Sequence, residues 1–275
     1  MRIDAHHHVW TLARGDYAWL TPNAGPLYRD HEAAELRPLL AEARIDATIL
    51  VQAAETDAET QHMLDCARRY DWIAGVVGWT DCAAPDSPAR IAALAAEPKL
   101  VGLRPMLQDM AERDWILRPD VTRGVVALAE TGLVFDALIR PDQIPVIAHL
   151  ADRHPDLVIV IDHAAKPAIG GDISHWAASM RDLARRGNVH VKFSGLLTEA
   201  PAGADADILR PVADTLLAAF GAQRLLWGSD WPVLTLAADY ARWLVTSDML
   251  LSSLDNAAKA AVFGGNAASL YGILA

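Results

Sequence analysis

Three short segments hold the residues on which chemistry could rest. The first is Asp4-Ala5-His6-His7-His8-Val9-Trp10, near the amino terminus. On a strand, side chains at i and i+2 share a face, so His6 and His8 can hold one metal ion or one substrate oxygen while His7 faces away. A hydrogen-bonded structural pair is the alternative. The second segment is the apolar run Leu157-Val158-Ile159-Val160-Ile161, which stops abruptly in Asp162-His163. That ending puts an acid and an imidazole at a strand end, where Asp162 could instead cap the loop and His163 pack. The third is Leu225-Leu226-Trp227-Gly228-Ser229-Asp230-Trp231-Pro232. Burying a carboxylate between indoles is costly without partners, which makes Asp230 a general-base candidate.

For these segments to meet, strands from distant parts of the chain must end at one place. Eight short apolar runs are spaced along the sequence: Arg2 to Ala5, Ala47 to Ala53, Ile73 to Trp79, Leu100 to Arg104, Leu133 to Ala137, Leu157 to Asp162, Val189 to Phe193 and Leu225 to Gly228. Several are apolar at nearly every position, as strands covered on both faces are. Helical periodicity lies between them, at 31–44, 57–70, 87–96, 121–131, 141–153, 175–187, 205–220, 237–248 and 255–270. Thr56 and Glu59 form a capping-box pattern, and Gly132, Gly187 and Gly221 stand where helices should end. Alternating strands and helices over 275 residues predict an α/β fold, a single-domain (β/α)8 TIM barrel covering 1–275. In that fold the carboxyl ends of the strands converge on the active face, and the Gly- and Pro-rich loop from Thr11 to Pro26 would lie over it.

Composition narrows the partners. A net charge of −11, with acids spread along the chain, argues against nucleic acid and anionic membrane surfaces. No apolar run approaches the ~18 residues of a membrane span, and no secretory leader is visible at the start. Cys66 and Cys82 form no CxxC pair, so neither a disulfide framework nor a thiolate zinc site is expected, and a cytoplasmic location suits the chain. A homo-oligomer is left open.

Taken together, the segments resemble the amidohydrolase superfamily, in particular its branch of sugar-lactone and aromatic-lactone hydrolases. The likeness runs through Val51-Gln52-Ala53, Gly75-Val76-Val77-Gly78-Trp79, Gly102-Leu103-Arg104, Asp162-His163 with Lys166-Pro167, Lys192-Phe193-Ser194-Gly195-Leu196 and Phe263-Gly264-Gly265-Asn266-Ala267. It implies that His6 and His8 are the first-strand pair, His163 the sixth-strand histidine and Asp230 the aspartate that activates water. Two-metal members carry a carbamylated lysine on the fourth strand, where this chain has Arg104, and many have a fifth-strand histidine, where it has Phe135-Asp136-Ala137. One divalent ion, Zn2+ for instance, held by His6, His8 and Asp230 with or without His163, is therefore expected, or none at all.

The resemblance implies opening of a sugar lactone to its acid. The alternative is an anionic lactone of the pyrone dicarboxylate or muconolactone type, or a metal-dependent decarboxylation. Candidates for substrate contact at the mouth are Trp10, Trp19, Gln52, Trp79, Arg104, Gln108, Asp136, Arg140, Lys166, Ser194 and Trp231. Each has a structural alternative, such as an Arg104–Asp136 ion pair. Lys192 is expected to pair with a carboxylate inside the barrel, and Cys66 to sit in the core.

Overall fold

A computed structural model describes residues 1–273. Eight strands form one parallel sheet in sequential order: β1 (Ile3–His7), β2 (Ala47–Val51), β3 (Ile73–Gly78), β4 (Leu100–Leu103), β5 (Val134–Ala137), β6 (Ile159–Ile161), β7 (Val189–Phe193) and β8 (Leu225–Trp227). Closure between the last strand and the first comes just beyond β8. Asp230 N–H donates to the His6 carbonyl at 2.8 Å and His8 N–H to the Trp231 carbonyl at 2.7 Å. The architecture is the expected (β/α)8 barrel, with each predicted strand present and most shortened by a residue or two at the ends.

The outer layer is α1 (Ala33–Ala43), α2 (Asp57–Arg69), α3 (Ser87–Ala95), α4 (Pro119–Thr131), α5 (Ile144–Arg153), α6 (Ser174–Leu183), α7 (Ala206–Phe220) and α8 (Tyr240–Leu250). Each lays an apolar stripe on the sheet, for example Val121, Val125 and Leu128 of α4 and Leu209, Val212, Ala213 and Leu216 of α7. Gly132 ends α4 at a φ of 73°, a left-handed conformation that glycine enters at no steric cost. The predicted box at α2 is only half made. Thr56 accepts from Glu59 N–H at 3.0 Å, but the Glu59 carboxylate turns away to Tyr17 Oη and Ala53 N.

The helix predicted over 255–270 is two helices, α9 (Asn256–Ala260) and α10 (Asn266–Leu270). They part at Gly264, where a Cβ would stand 2.6 Å from the Met1 carbonyl oxygen and 2.7 Å from Ile3 N. Close approach to β1 is thus what breaks the helix. Beyond α10, Tyr271 joins Ile3, Ile49, Val134, Val160 and Leu226 in the apolar cluster of the barrel lumen.

The register between β1 and β2 shifts between Asp4 and His7. Such an irregularity re-aims side chains. Asp4 turns to Tyr240 of α8, Ala5 joins the lumen cluster, and His6 still reaches the interior carboxylates described below.

His190, on β7, is half-buried, and burial, with Arg224 adding to it, lowers its imidazole to about 4. An unfolded histidine titrates near 6.5, so the neutral ring contributes stability that is complete above that pH and is lost as pH falls toward 4. His190→Gln removes this dependence. The urea midpoint should fall less between pH 6.5 and pH 4 in the variant than in the parent. Equal falls would refute the assignment.

Candidate active site

The site begins below the mouth, with a fully buried row of charges. The Lys192 ammonium contacts Asp136 Oδ2 and lies 3.1 Å from Asp162 Oδ1 and 3.0 Å from His6 Nδ1. Arg104 reaches the other Asp162 oxygen at 2.9 Å and the Gln52 carbonyl, and Tyr271 Oη donates to Asp136 Oδ1 at 2.9 Å. Two carboxylates thus face two cations in a dry interior. Burial would raise both acids. At Asp162 the opposing pull of Lys192, then of His6 and Arg104, wins and holds the carboxyl well below its usual range. At Asp136 burial wins and the group stands at about 6, with Lys192 drawing it down.

Above this row the sequence-predicted catalytic set comes together. His6 Nε2 lies 3.1 Å from His8 Nε2 and 3.7 Å from Asp230 Oδ1, His8 Nε2 lies 3.4 Å from that oxygen, and His163 Nε2 lies 3.8 Å from it. All four are buried. His8 Nδ1 faces the Val51 carbonyl at 2.7 Å. A carbonyl can only accept, so the neutral His8 ring carries its proton on Nδ1 and presents a lone pair to the centre. His163 Nδ1 meets the Ser194 hydroxyl at 2.9 Å, a partner able to donate or accept, so either tautomer is served.

Electrostatics keep the set poised to bind rather than to hold protons. Burial lowers His163 to about 4 despite the pull of Asp230, and burial, followed by Lys192, lowers His6 well below 6.5. Burial would raise Asp230, but the imidazoles beside it, His163 first and then His8 and His6, overcome it and hold the carboxyl below its usual range. Two imidazole nitrogens and an ionised carboxylate oxygen this close together are what a cation needs. Tetrahedral ligands at zinc distances stand about 3.3–3.6 Å apart, and the His6, His8 and Asp230 atoms are separated by 3.1, 3.4 and 3.7 Å. The residues present fit a divalent ion.

Local backbone explains the aim of these side chains. Asp230 has a φ of 60°, and His163, Ala164, Ala165 and Lys166 run through four successive left-handed conformations, each costing about 1–2 kcal/mol without glycine. That tight reversal after β6 turns His163 back over the mouth. Asp4 anchors the opposite side. Its Oδ1 accepts from Ser229 N at 2.8 Å and its Oδ2 from Tyr240 Oη at 2.9 Å, which ties the Asp230 loop to β1. The strand reading took Asp4 only as part of the run, although an acid inside an apolar strand was the available signal. It offered Asp162 as an acid at the strand end or as a loop cap, and the structure makes it the partner of Lys192 and Arg104.

The open cleft over the set, about 220 Å³, is lined by His8, Trp19, Ala53, Arg104, Met106, Gln108, Asp109, Leu138, His163, Lys166, Asp230 and Val233. Of the predicted substrate contacts, Arg104, Gln108 and Lys166 are here, and Trp19 of the Thr11–Pro26 loop forms a wall. Five are not. Trp10 is buried behind Trp19, its indole N–H spent on the Leu27 and Arg29 carbonyls. Gln52 is fully buried and braces Arg104, donating to its carbonyl at 2.8 Å. Asp136 is sealed below by Lys192 and Tyr271, and the predicted Arg104–Asp136 alternative is instead an Arg104–Asp162 pair. Trp79 has its main chain tied to Thr60 and lies outside the cleft lining, and Trp231 packs edge-on against His31. Arg140 is held by Asp109, and Ser194 acts through His163. Cys66 is half-buried on α2 rather than in the core.

A parallel barrel with imidazoles and a carboxylate converging at the carboxyl ends of its first, sixth and eighth strands defines a class of hydrolytic, metal-capable barrel enzymes. The family model described as amidohydrolase matches residues 3–273, and the chain belongs to that family. It is similar to an L-fucono-1,5-lactonase of Burkholderia ambifaria, 45% identical with 99% of this chain and 96% of that protein covered. An L-fucono-1,5-lactonase of Burkholderia multivorans is 38% identical, again covering 99% of this chain and 96% of the relative. Among solved structures, an amidohydrolase from Burkholderia multivorans with bound zinc superimposes over 100% of both chains at 38% identity and a TM-score of 0.94. No helix among the described residues is long and apolar enough to cross a membrane.

At Gly195, φ is 65° and a Cβ would stand 2.6 Å from His163 Nδ1. Gly195→Ala therefore displaces the imidazole from Ser194. Hydrolytic turnover should fall by about 10²-fold while circular dichroism remains that of the parent, the size of loss that follows a ~1 Å misplacement. Unchanged turnover would show that the position of His163 does not matter.

Proposed function

We propose that the protein opens a sugar lactone, L-fucono-1,5-lactone by the likeness to its curated relatives, to the free sugar acid. The observation that carries this reading is the convergence of His6, His8, His163 and the ionised Asp230 at the floor of one cleft. Water entering there gives its proton to the Asp230 carboxylate as its oxygen bonds to the lactone carbonyl carbon. The N–H that the Ser194 hydroxyl can leave on His163 Nε2 faces the developing oxyanion. Collapse of the tetrahedral centre expels the ring oxygen, which takes the proton and becomes the hydroxyl of the acid. A divalent ion, zinc by likeness to the Burkholderia multivorans structure, would be held by His6, His8 and Asp230 with His163 alongside, and would supply Lewis-acid polarisation of the carbonyl. A cation at His6 Nε2 needs the tautomer that puts the other ring proton toward Asp162 Oδ1, 3.4 Å away.

The cleft suits a neutral deoxy-sugar. Trp19, Met106, Leu138 and Val233 make an apolar wall for C–H surface and a terminal methyl, while Gln108 and Lys166 can meet hydroxyls. Anionic lactones and decarboxylation are disfavoured because the local cations are already engaged. Arg104 is paired with Asp162, Lys166 with Glu199 at 3.3 Å and Arg140 with Asp109 at 2.8 Å. We place the reaction in the cytoplasm, on a small molecule rather than a nucleic acid, with self-association not required by the site.

Asp230→Asn should lower kcat on L-fucono-1,5-lactone by about 10²–10⁴-fold, read by a pH indicator as acid is released. Near-normal turnover would remove Asp230 as the base. The corresponding lactone with a hydroxyl at C6 should lose roughly 10–10²-fold in kcat/KM, since the apolar wall leaves that hydroxyl unpaired. Equal rates would argue that the wall does not contact C6.

A further inference from the structure

Besides His6, His8 and Asp230, a second group of converging donors is fully buried in the barrel: His6, Asp162 and His163. Two of its three members are in contact with the Lys192 ammonium, at 3.0 Å from His6 Nδ1 and 3.1 Å from Asp162 Oδ1. That Asp162 oxygen makes no directed hydrogen bond although it is wholly inaccessible to solvent. Its satisfaction is electrostatic, through a positive charge lying beside it. We propose that the Lys192 ammonium occupies the place of a second cation, so that this barrel mouth accepts one divalent ion at most, and that removing the ammonium opens a second metal site on Asp162, His6 and His163.

The charge balance of the interior supports the assignment. Asp136 and Asp162 are matched by Lys192 and Arg104, and Arg104 engages Asp162 through its other oxygen, leaving Oδ1 with Lys192 as its one cation. Loss of the ammonium leaves a buried carboxylate uncompensated, which a protein relieves by taking up a proton or a cation. Here an imidazole of the group, His6, stands 3.4 Å from the orphaned oxygen, so a cation finds nitrogen and oxygen donors ready-made. Lys192 is in these terms a positioning residue whose charge sets the metal count. The first site keeps His8 and Asp230 to itself and shares only His6, whose Nε2 faces Asp230 and whose Nδ1 faces Asp162, so that with both ions bound the ring would bridge them as an imidazolate.

The test is metal content. Wild-type protein, Lys192→Met and the charge-balanced Lys192→Met/Asp136→Asn double variant are equilibrated with Co2+ or Zn2+ and desalted, and metal per chain is read by elemental analysis. The double variant also removes the Asp136 charge that Lys192 answered, and so remains foldable should the single one not be, while Asp162 Oδ1 still loses its neighbouring ammonium. Expected is one more equivalent per chain in the variants than in the wild type, a larger rise of Tm on adding metal, and loss of that extra equivalent when Asp162→Asn is added. The same metal count in variants and wild type, or two equivalents in the wild type, overturns the proposal. An extra equivalent that survives Asp162→Asn does so as well. Asp230→Asn in the Lys192→Met background separates this inference from the reading of the first site. It should remove the original equivalent and leave the new one.

Discussion

A lysine wholly buried between two carboxylates is the interaction on which the rest of this barrel depends. Lys192 binds Asp136 toward the base of the lumen and Asp162 toward the mouth, and it meets the inner nitrogen of His6 between them. Removing one partner from such a buried group costs about 3–5 kcal/mol, because the remaining charge is left in a medium that cannot solvate it. β5, the turn after β6 and β7 each contribute one member, and Tyr271, after α10, contributes a hydroxyl. Holding the barrel interior together and fixing the angle of His6 are therefore the same physical event.

From this base the active face is assembled by fixed hydrogen bonds rather than by adaptable loops. The Val51 carbonyl dictates the tautomer of His8, Ser194 supports His163, and Asp4 ties the Ser229–Asp230 corner to β1. Preorganised groups of this kind need little rearrangement as charge develops in a transition state. The left-handed run from His163 to Lys166 is part of the same arrangement, with backbone strain held at the site by the packing around it. Trp19, reaching in from the loop after β1, is the wall contributed by the least regular part of the structure.

Much of this was legible in the sequence, for identifiable reasons. Strands buried on both faces read as unbroken apolar runs, so β2 and β6 announced themselves, and an acid or imidazole ending such a run is conspicuous, which is why His6, His8, His163 and Asp230 stood out. What failed was depth along the strand. Asp136 and Gln52 look like mouth residues when only the strand end is known, yet they lie one layer down, engaged with Lys192 and Arg104. Indoles misled for a different reason. Trp10 and Trp231 are amphipathic enough to suit a sugar or a packed loop, and sequence has no means to say which side of a backbone faces the ligand. The shift of register in β1 was invisible to an argument from strict alternation, although the conclusion that His6 and His8 act together survives it. The broken helix at Gly264 depended on contact with residues some 260 positions earlier, which no local window contains.

The donors that meet over the cleft floor come from opposite ends of the polypeptide. His6 and His8 are made before β2 to β8, and Asp230, which also supplies the backbone link that joins the last strand to the first, only after them. During synthesis, then, the imidazoles exist for most of the chain's growth without their carboxylate, and the base exists only in a ring that has already shut. A chain made only as far as β7 has the imidazoles but neither the closing strand nor the carboxylate, so one segment completes both the ring and the centre.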